Sequence, residues 1–164
     1  MNSCIAGVIR SMILYNESDP KRVHHALKVY AFAKSIGELE ALDETGMEIL
    51  ELAAVLHDIG IRNSELKYGS SNGKYQELEG PPVAKKMLVQ AGVQPTVIER
   101  VLYLIGHHHT YTEISGMDYQ ILVEADFLVN LYEDGLTEQQ AQTVLQKYFK
   151  TKAGKEYLTA MYLK

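Results

Sequence analysis

Ala53-Ala54-Val55-Leu56-His57-Asp58-Ile59-Gly60 is an apolar run that closes on an adjacent histidine and aspartate, with a glycine two residues after the pair. Such a run fits a helix. Neighbours on a helix project about 100° apart, so one helix end offers an imidazole and a carboxylate to a single point. A neutral imidazole and a carboxylate together suit a divalent metal of borderline hardness. A helix C-terminal cap or a solvated corner would use the same two residues, so the rest of the sequence must separate these meanings.

Working outward, few alternating β-branched runs, four prolines and many apolar positions at three- and four-residue spacing indicate an all-α chain. Upstream, Thr45-Gly46-Met47-Glu48 has capping-box spacing and is expected to open the helix that carries His57-Asp58. Asp19-Pro20 pairs a capping residue with a proline suited to the first helical position; the helix is expected to reach about Ile36 and close at Gly37. On it, His25 shares a stripe with Val29, Phe32 and Ile36 and should point inward. His24 shares one with Lys28, Ala31 and Ser35 and should point outward. Residues 4–15 read as a first helix, ended by Asn16-Glu17-Ser18-Asp19.

Downstream of Gly60 the composition turns polar, and Arg62 to Gly80 is expected to be a loop of about twenty residues, long enough to act as a lid. Pro81-Pro82 is expected to start a helix that ends near Ala91-Gly92. Thr96-Val97-Ile98-Glu99 is a second capping box. Its helix carries Val97, Val101, Leu104 and Ile105 into His107-His108-His109, with His108 the best placed of the three to face the core. The next helix spans residues 118–134, where Tyr119, Leu122, Asp126 and Val129 fall on one face. The other members of that face are apolar, so Asp126 should be buried. A buried ionised carboxylate costs several kcal/mol unless it is paired or coordinates a metal. Thr137-Glu138-Gln139-Gln140 is a third capping box, followed by a helix to about Phe149 and a short one from about Gly154.

The chain of 164 residues is long enough for one domain with a real core. Its net charge of −5 argues against a broad nucleic-acid-binding surface, although a metal and a few local cations could still hold a small anionic substrate. Cys4 is the only cysteine, which excludes an internal disulfide and a thiolate zinc site and fits a reducing cytoplasm. Arg10 interrupts the apolar residues near the start, so no secretory signal is expected. No apolar run approaches the ~20 residues that cross a bilayer.

His25, the His57-Asp58 pair and Asp126 thus present two imidazoles and two carboxylates from the inward faces of separate helices. That set suits one Mn²⁺, Fe²⁺, Co²⁺, Ni²⁺, Zn²⁺ or Mg²⁺ ion with positions left for water and substrate. The order of these residues resembles the signature of the HD-domain metal-dependent phosphohydrolases. Here it reads Arg22-Val23-His24-His25-Ala26-Leu27-Lys28-Val29, then His57-Asp58-Ile59-Gly60, then Glu124-Ala125-Asp126-Phe127-Leu128. Glu79-Gly80-Pro81-Pro82-Val83-Ala84 and Leu104-Ile105-Gly106-His107-His108 also look familial, and the likeness covers roughly residues 21–133. The resemblance implies a single compact bundle of about seven or eight helices over residues 1–164. It implies metal ligation by His25, His57, Asp58 and Asp126, and hydrolysis of a phosphate ester, often on a nucleotide.

Within that expectation Asp58 is the catalytic candidate, able both to bind metal and to orient the attacking water. Glu79, His107 and His108 are candidates for a second metal or for substrate. Arg22, Lys28, Arg62, Lys67 and Lys74 are candidates for phosphate. Two features depart from the family pattern: Gln76 stands where two-metal members carry a histidine, and Ile61-Arg62 replaces a lysine that often follows His-Asp-Ile-Gly. One tightly held metal is therefore expected, with any second weak or assisted by substrate. Two alternatives stay open, a di-iron oxygenase on the same scaffold and a metal-binding regulatory domain without turnover. The first helix and the Tyr157 to Tyr162 end are candidate surfaces for a homodimer.

Overall fold

A computed structural model describes residues 3–164. Helix α3 (Glu44–Leu56) lies at the centre, and residues 49–56 are all buried, Glu51 included. A helix that is apolar on every side must be enclosed by others. Here α1 (Ser3–Tyr15), α2 (Pro20–Leu39), α6 (Pro95–Ile105) and α7 (Met117–Glu133) do so. Around them, α4 (Ile61–Tyr68) packs on α5 (Gly73–Gln90), which in turn packs on α6, while α8 (Glu138–Tyr148) and α9 (Lys152–Tyr162) pack against α7. There are nine helices among the described residues, and none is long and apolar enough to cross a membrane. One cluster of buried apolar side chains draws on every helix except α4. The candidate dimer faces contribute to that core through Ile5, Val8, Met12 and Leu158.

Several local expectations need correcting. The stretch expected as a long loop holds α4 and the first two turns of α5, leaving 69–72 as the connection. Its glycines and polar residues end one helix and cap the next. Gly69 takes φ +63 after Tyr68, and the Asn72 side chain accepts a hydrogen bond from the Lys74 backbone N–H at 3.0 Å. Pro81 and Pro82 lie inside α5 instead of starting it. They remove the helical donors for the Glu77 and Leu78 carbonyls, yet the helix continues, because Gln76, Glu79, Gly80 and Ala84 are packed inward on both sides of the break.

Helix α3 is capped by Asp43, whose side chain accepts from the Gly46 N–H at 2.7 Å, so Thr45 is not the cap. Helix α6 begins at Pro95, with no side-chain cap at Gln94, in place of the Thr96 box. The Thr137 capping box forms as expected.

Two glycines act by permitting close approach. Gly37 does not close α2; a Cβ there would lie 2.6 Å from Met47 Sδ and 2.9 Å from Leu50 Cδ2, so it lets α3 come near. Gly60 has an ordinary φ of −77, but a Cβ there would meet Gly80 N at 2.5 Å and Gln76 O at 2.6 Å. This backbone contact brings α5 against the turn that carries His57 and Asp58.

Candidate metal centre

His25 comes from α2, Asp126 from α7, and His57 and Asp58 from the turn that joins α3 to α4. All four expected ligand candidates meet. His25 Nε2 lies 3.1 Å from His57 Nε2, 3.1 Å from Asp126 Oδ1 and 3.1 Å from Asp58 Oδ2. His57 Nε2 is 3.3 Å from Asp126 Oδ1 and 3.4 Å from Asp58 Oδ2. His57 is fully buried and His25 and Asp126 nearly so, while Asp58 keeps some exposure to the cleft. His24 is exposed, as its stripe predicts.

The far side of each ring explains what the near side offers. His57 Nδ1 donates to the Ala54 carbonyl at 2.7 Å, and His108 Nδ1 donates to the Ile105 carbonyl at 2.8 Å. A carbonyl only accepts, so both protons sit on Nδ1 and a neutral ring turns its Nε2 lone pair inward. His25 Nδ1 donates to Glu133 Oε1 at 2.7 Å, a carboxylate in place of a carbonyl. Outer partners of this kind orient metal-binding imidazoles.

Two imidazole nitrogens 3.1 Å apart and facing two carboxylates require a positive charge between them. Without a metal, protons supply it. Burial disfavours the charged ring of His25, but Asp126 and Asp58 overcome this and raise its pKa to about 11. The same contest between burial and the two carboxylates raises His57. Asp58 and Asp126 are lowered: burial opposes their charge, and the facing imidazoles outweigh it. The donor set fits a divalent cation, which would supply that charge without protons.

A second group shares Asp58. Its Oδ1 is 3.4 Å from His108 Nε2, and Asp58, His108 and His109 offer ligand atoms within 4.8 Å of one another. His108 Nε2 is buried and makes no hydrogen bond among the described residues, a costly state for a polar atom without a partner. His109 Nε2 donates to Gln76 Oε1 at 2.8 Å, and the Gln76 amide is fixed in turn by donating to Ser71 O at 2.6 Å. Burial, reinforced by neighbouring His108, pushes the His109 pKa down to about 4, so this ring is neutral at pH 7.

The expected second-group residues divide. His108 is in place. His107 turns away, its Nδ1 bonded to Tyr103 O at 2.7 Å and its ring stacked on Tyr103. Glu79 is buried but engaged by Lys67 at 2.8 Å and by the Tyr68 hydroxyl at 3.2 Å, and it is absent from the ligand groups.

A cleft of about 400 Å³ opens on the centre, lined among others by Asp58, Asp126, His25, Gln76 and His109. Of the five candidate phosphate cations, Arg22 lines it, already bonded to Asp19 and Glu65. Lys28 pairs with Glu133 at 2.5 Å. Arg62 donates to Tyr15 O at 2.6 Å and lies over the Tyr15 ring, Lys67 holds Glu79, and Lys74 lines a neighbouring cavity. Lys21, Asn130, Glu133 and Asp134 also line the cleft and were missed in the sequence. The last three follow Asp126 by 4, 7 and 8 positions, a helical spacing that points to them.

A family model for the HD domain matches residues 22–150. The chain belongs to the HD domain family. Among solved structures it is similar to the crystal structure of a predicted HD superfamily hydrolase from an uncultured Thermotogales bacterium. That likeness has 23% identity, covers 95% of this chain and 82% of that one, and has a TM-score of 0.64, so it is a likeness of fold. No curated protein matches this chain.

Proposed function

We propose that this protein is a metal-dependent phosphohydrolase acting on a small phosphorylated metabolite or nucleotide. His25, His57, Asp58 and Asp126 would hold one divalent ion tightly. The observation that carries the proposal is the convergence of two Nε2 lone pairs and two carboxylates at the floor of an open cleft. The family, and the similar structure being that of a predicted hydrolase, support the same class. Such an ion lowers the pKa of bound water and neutralises charge on phosphoryl oxygens.

This chain's residues then do the positioning. Asp58 is the one ligand candidate that reaches both groups, so it orients the attacking water, whose proton is passed on to the leaving oxygen. Water adds to phosphorus, the P–O ester bond breaks, and the leaving alkoxide takes up a proton to give an alcohol and inorganic phosphate. Asp58, His108 and His109 form the position for a second, weaker ion.

That second group also keeps a two-iron oxygenase in view, because the two groups share Asp58 as such a centre would require. Metal analysis and substrate screening separate the two. About one ion per chain and hydrolysis of phosphomonoesters that chelator abolishes and metal restores support the phosphohydrolase. Two irons per chain with oxygen-dependent turnover support the alternative. Stable metal binding without turnover on nucleoside mono-, di- and triphosphates, cyclic nucleotides or an aryl phosphate would leave a regulatory domain.

A further inference from the structure

The cleft is poor in cations for a phosphate site. Among the described residues five lining carboxylates, Asp19, Asp58, Asp126, Glu133 and Asp134, face only Lys21 and Arg22. One bound divalent ion, with Lys28 paired to Glu133 from outside the lining, leaves no surplus positive charge for further phosphoryl groups. Two of the carboxylates are balanced locally, Asp19 by Arg22 at 2.9 Å and Glu133 by Lys28 at 2.5 Å. Asp134 is not. It ends α7, its backbone N–H donates to Asn130 O at 2.9 Å, and its exposed carboxylate has no hydrogen bond or ion pair among the described residues.

A phosphomonoester places its charge on one phosphoryl group, where the ion at His25, His57, Asp58 and Asp126 can meet it. Each additional phosphoryl group extends negative charge away from that ion into a lining that holds a free carboxylate and few cations. Like charges that face one cleft repel. A volume of about 400 Å³ also lies toward the small end of ligand cavities.

Building on the phosphohydrolase proposal, we infer that the cleft selects phosphomonoesters whose leaving group is uncharged or cationic and donates hydrogen bonds. Asp134 is its specificity-determining residue. It disfavours di- and triphosphates by repulsion and accepts a hydrogen bond from a hydroxyl or amine of the leaving group. Asn130, one turn earlier and also in the lining, adds an amide for the same purpose.

The test measures kcat/KM for a nucleoside mono-, di- and triphosphate of one base, a sugar phosphate and an aryl phosphate, using the metal-loaded full chain at fixed free metal. The monophosphate should exceed the triphosphate by about tenfold or more, and Asp134→Lys should narrow that gap by about fivefold, Asp134→Asn by less. Thermal unfolding of both variants checks that the fold is retained. A wild-type ratio within twofold of unity, or a ratio that neither variant moves, overturns the inference and leaves the phosphohydrolase standing. Absence of hydrolysis of every compound, the aryl phosphate included, overturns both.

Discussion

Glu124 and Asp126 lie two residues apart on α7, both buried, on opposite sides of the helix. Glu124 is saturated by donors of its own chain. It accepts from Gln120 Nε2 at 2.6 Å, the Lys150 and Thr151 backbone N–H groups at 2.9 and 3.0 Å, and the Thr151 hydroxyl at 2.6 Å. Those groups lead into α9, so the carboxylate anchors that helix where its N–H groups and dipole welcome negative charge. Asp126 has no such donors among the described residues. Its partners among the described residues are the ring nitrogens of His25 and His57, which become donors only by holding a proton. A buried carboxylate satisfied by backbone is a joint of the fold; one facing imidazole lone pairs is a candidate cation ligand.

The largest effect expected from breaking this contrast is at Asp126. Asp126→Asn should lower turnover by about 10³-fold. Wild type at a metal concentration 1,000 times its Kd should gain about 4 kcal/mol of unfolding free energy from the ion, and the variant little of it at the same concentration. Differential scanning calorimetry with and without metal reads the second quantity.

Glu124→Ala should do the reverse. Stranding several buried donors should cost about 3–5 kcal/mol in urea unfolding, while the fraction that remains folded binds metal as wild type does. Equal metal loss in both variants would dissolve the distinction.

Glu133 sharpens the comparison from the outer side. Glu133→Gln weakens the anchor on His25 Nδ1 and should reduce metal affinity by about 10–100-fold in equilibrium dialysis, with little change in unfolding of the chelated protein.

The smallest effect is a dependence on pH. In the chelated protein the His25 pKa is raised to about 11. The stability from its proton is therefore fully present below the usual histidine value of about 6.5 and is lost as pH rises toward 11. Metal must displace that proton, so its affinity should rise by up to about tenfold per pH unit in this range and fall on acidification. Calorimetric titration in two buffers of different ionisation enthalpy should record proton release on binding.

How far the sequence could reach follows from the same contrast. His25 and Asp126 were legible because each sits on an otherwise apolar helical stripe, and the adjacent His57-Asp58 pair ends an apolar run. His109 was not: helical spacing carried over to His108, but the chain leaves α6 at Gly106, and the turn brings the next ring to the same side, where a continued helix would have rotated it away. The α4–α5 segment was misread for a related reason. Its polar composition resembles a loop, while what holds α5 in place is the backbone contact of Gly60 with Gly80 and Gln76. A contact between residues 20 apart in sequence leaves no periodic trace. Lys28 and Lys67 looked free to bind phosphate because their partners, Glu133 and Glu79, are distant in sequence or on another helix.

The central claim is that a metal held at Asp58 drives phosphate-ester hydrolysis. It is tested most directly by titrating metal into chelated wild type and Asp58→Ala while following bound metal and phosphomonoester turnover together. Wild type should gain turnover in step with the first ion bound, and Asp58→Ala should bind that ion far more weakly and show no turnover. Metal binding and turnover both intact in Asp58→Ala would contradict the account.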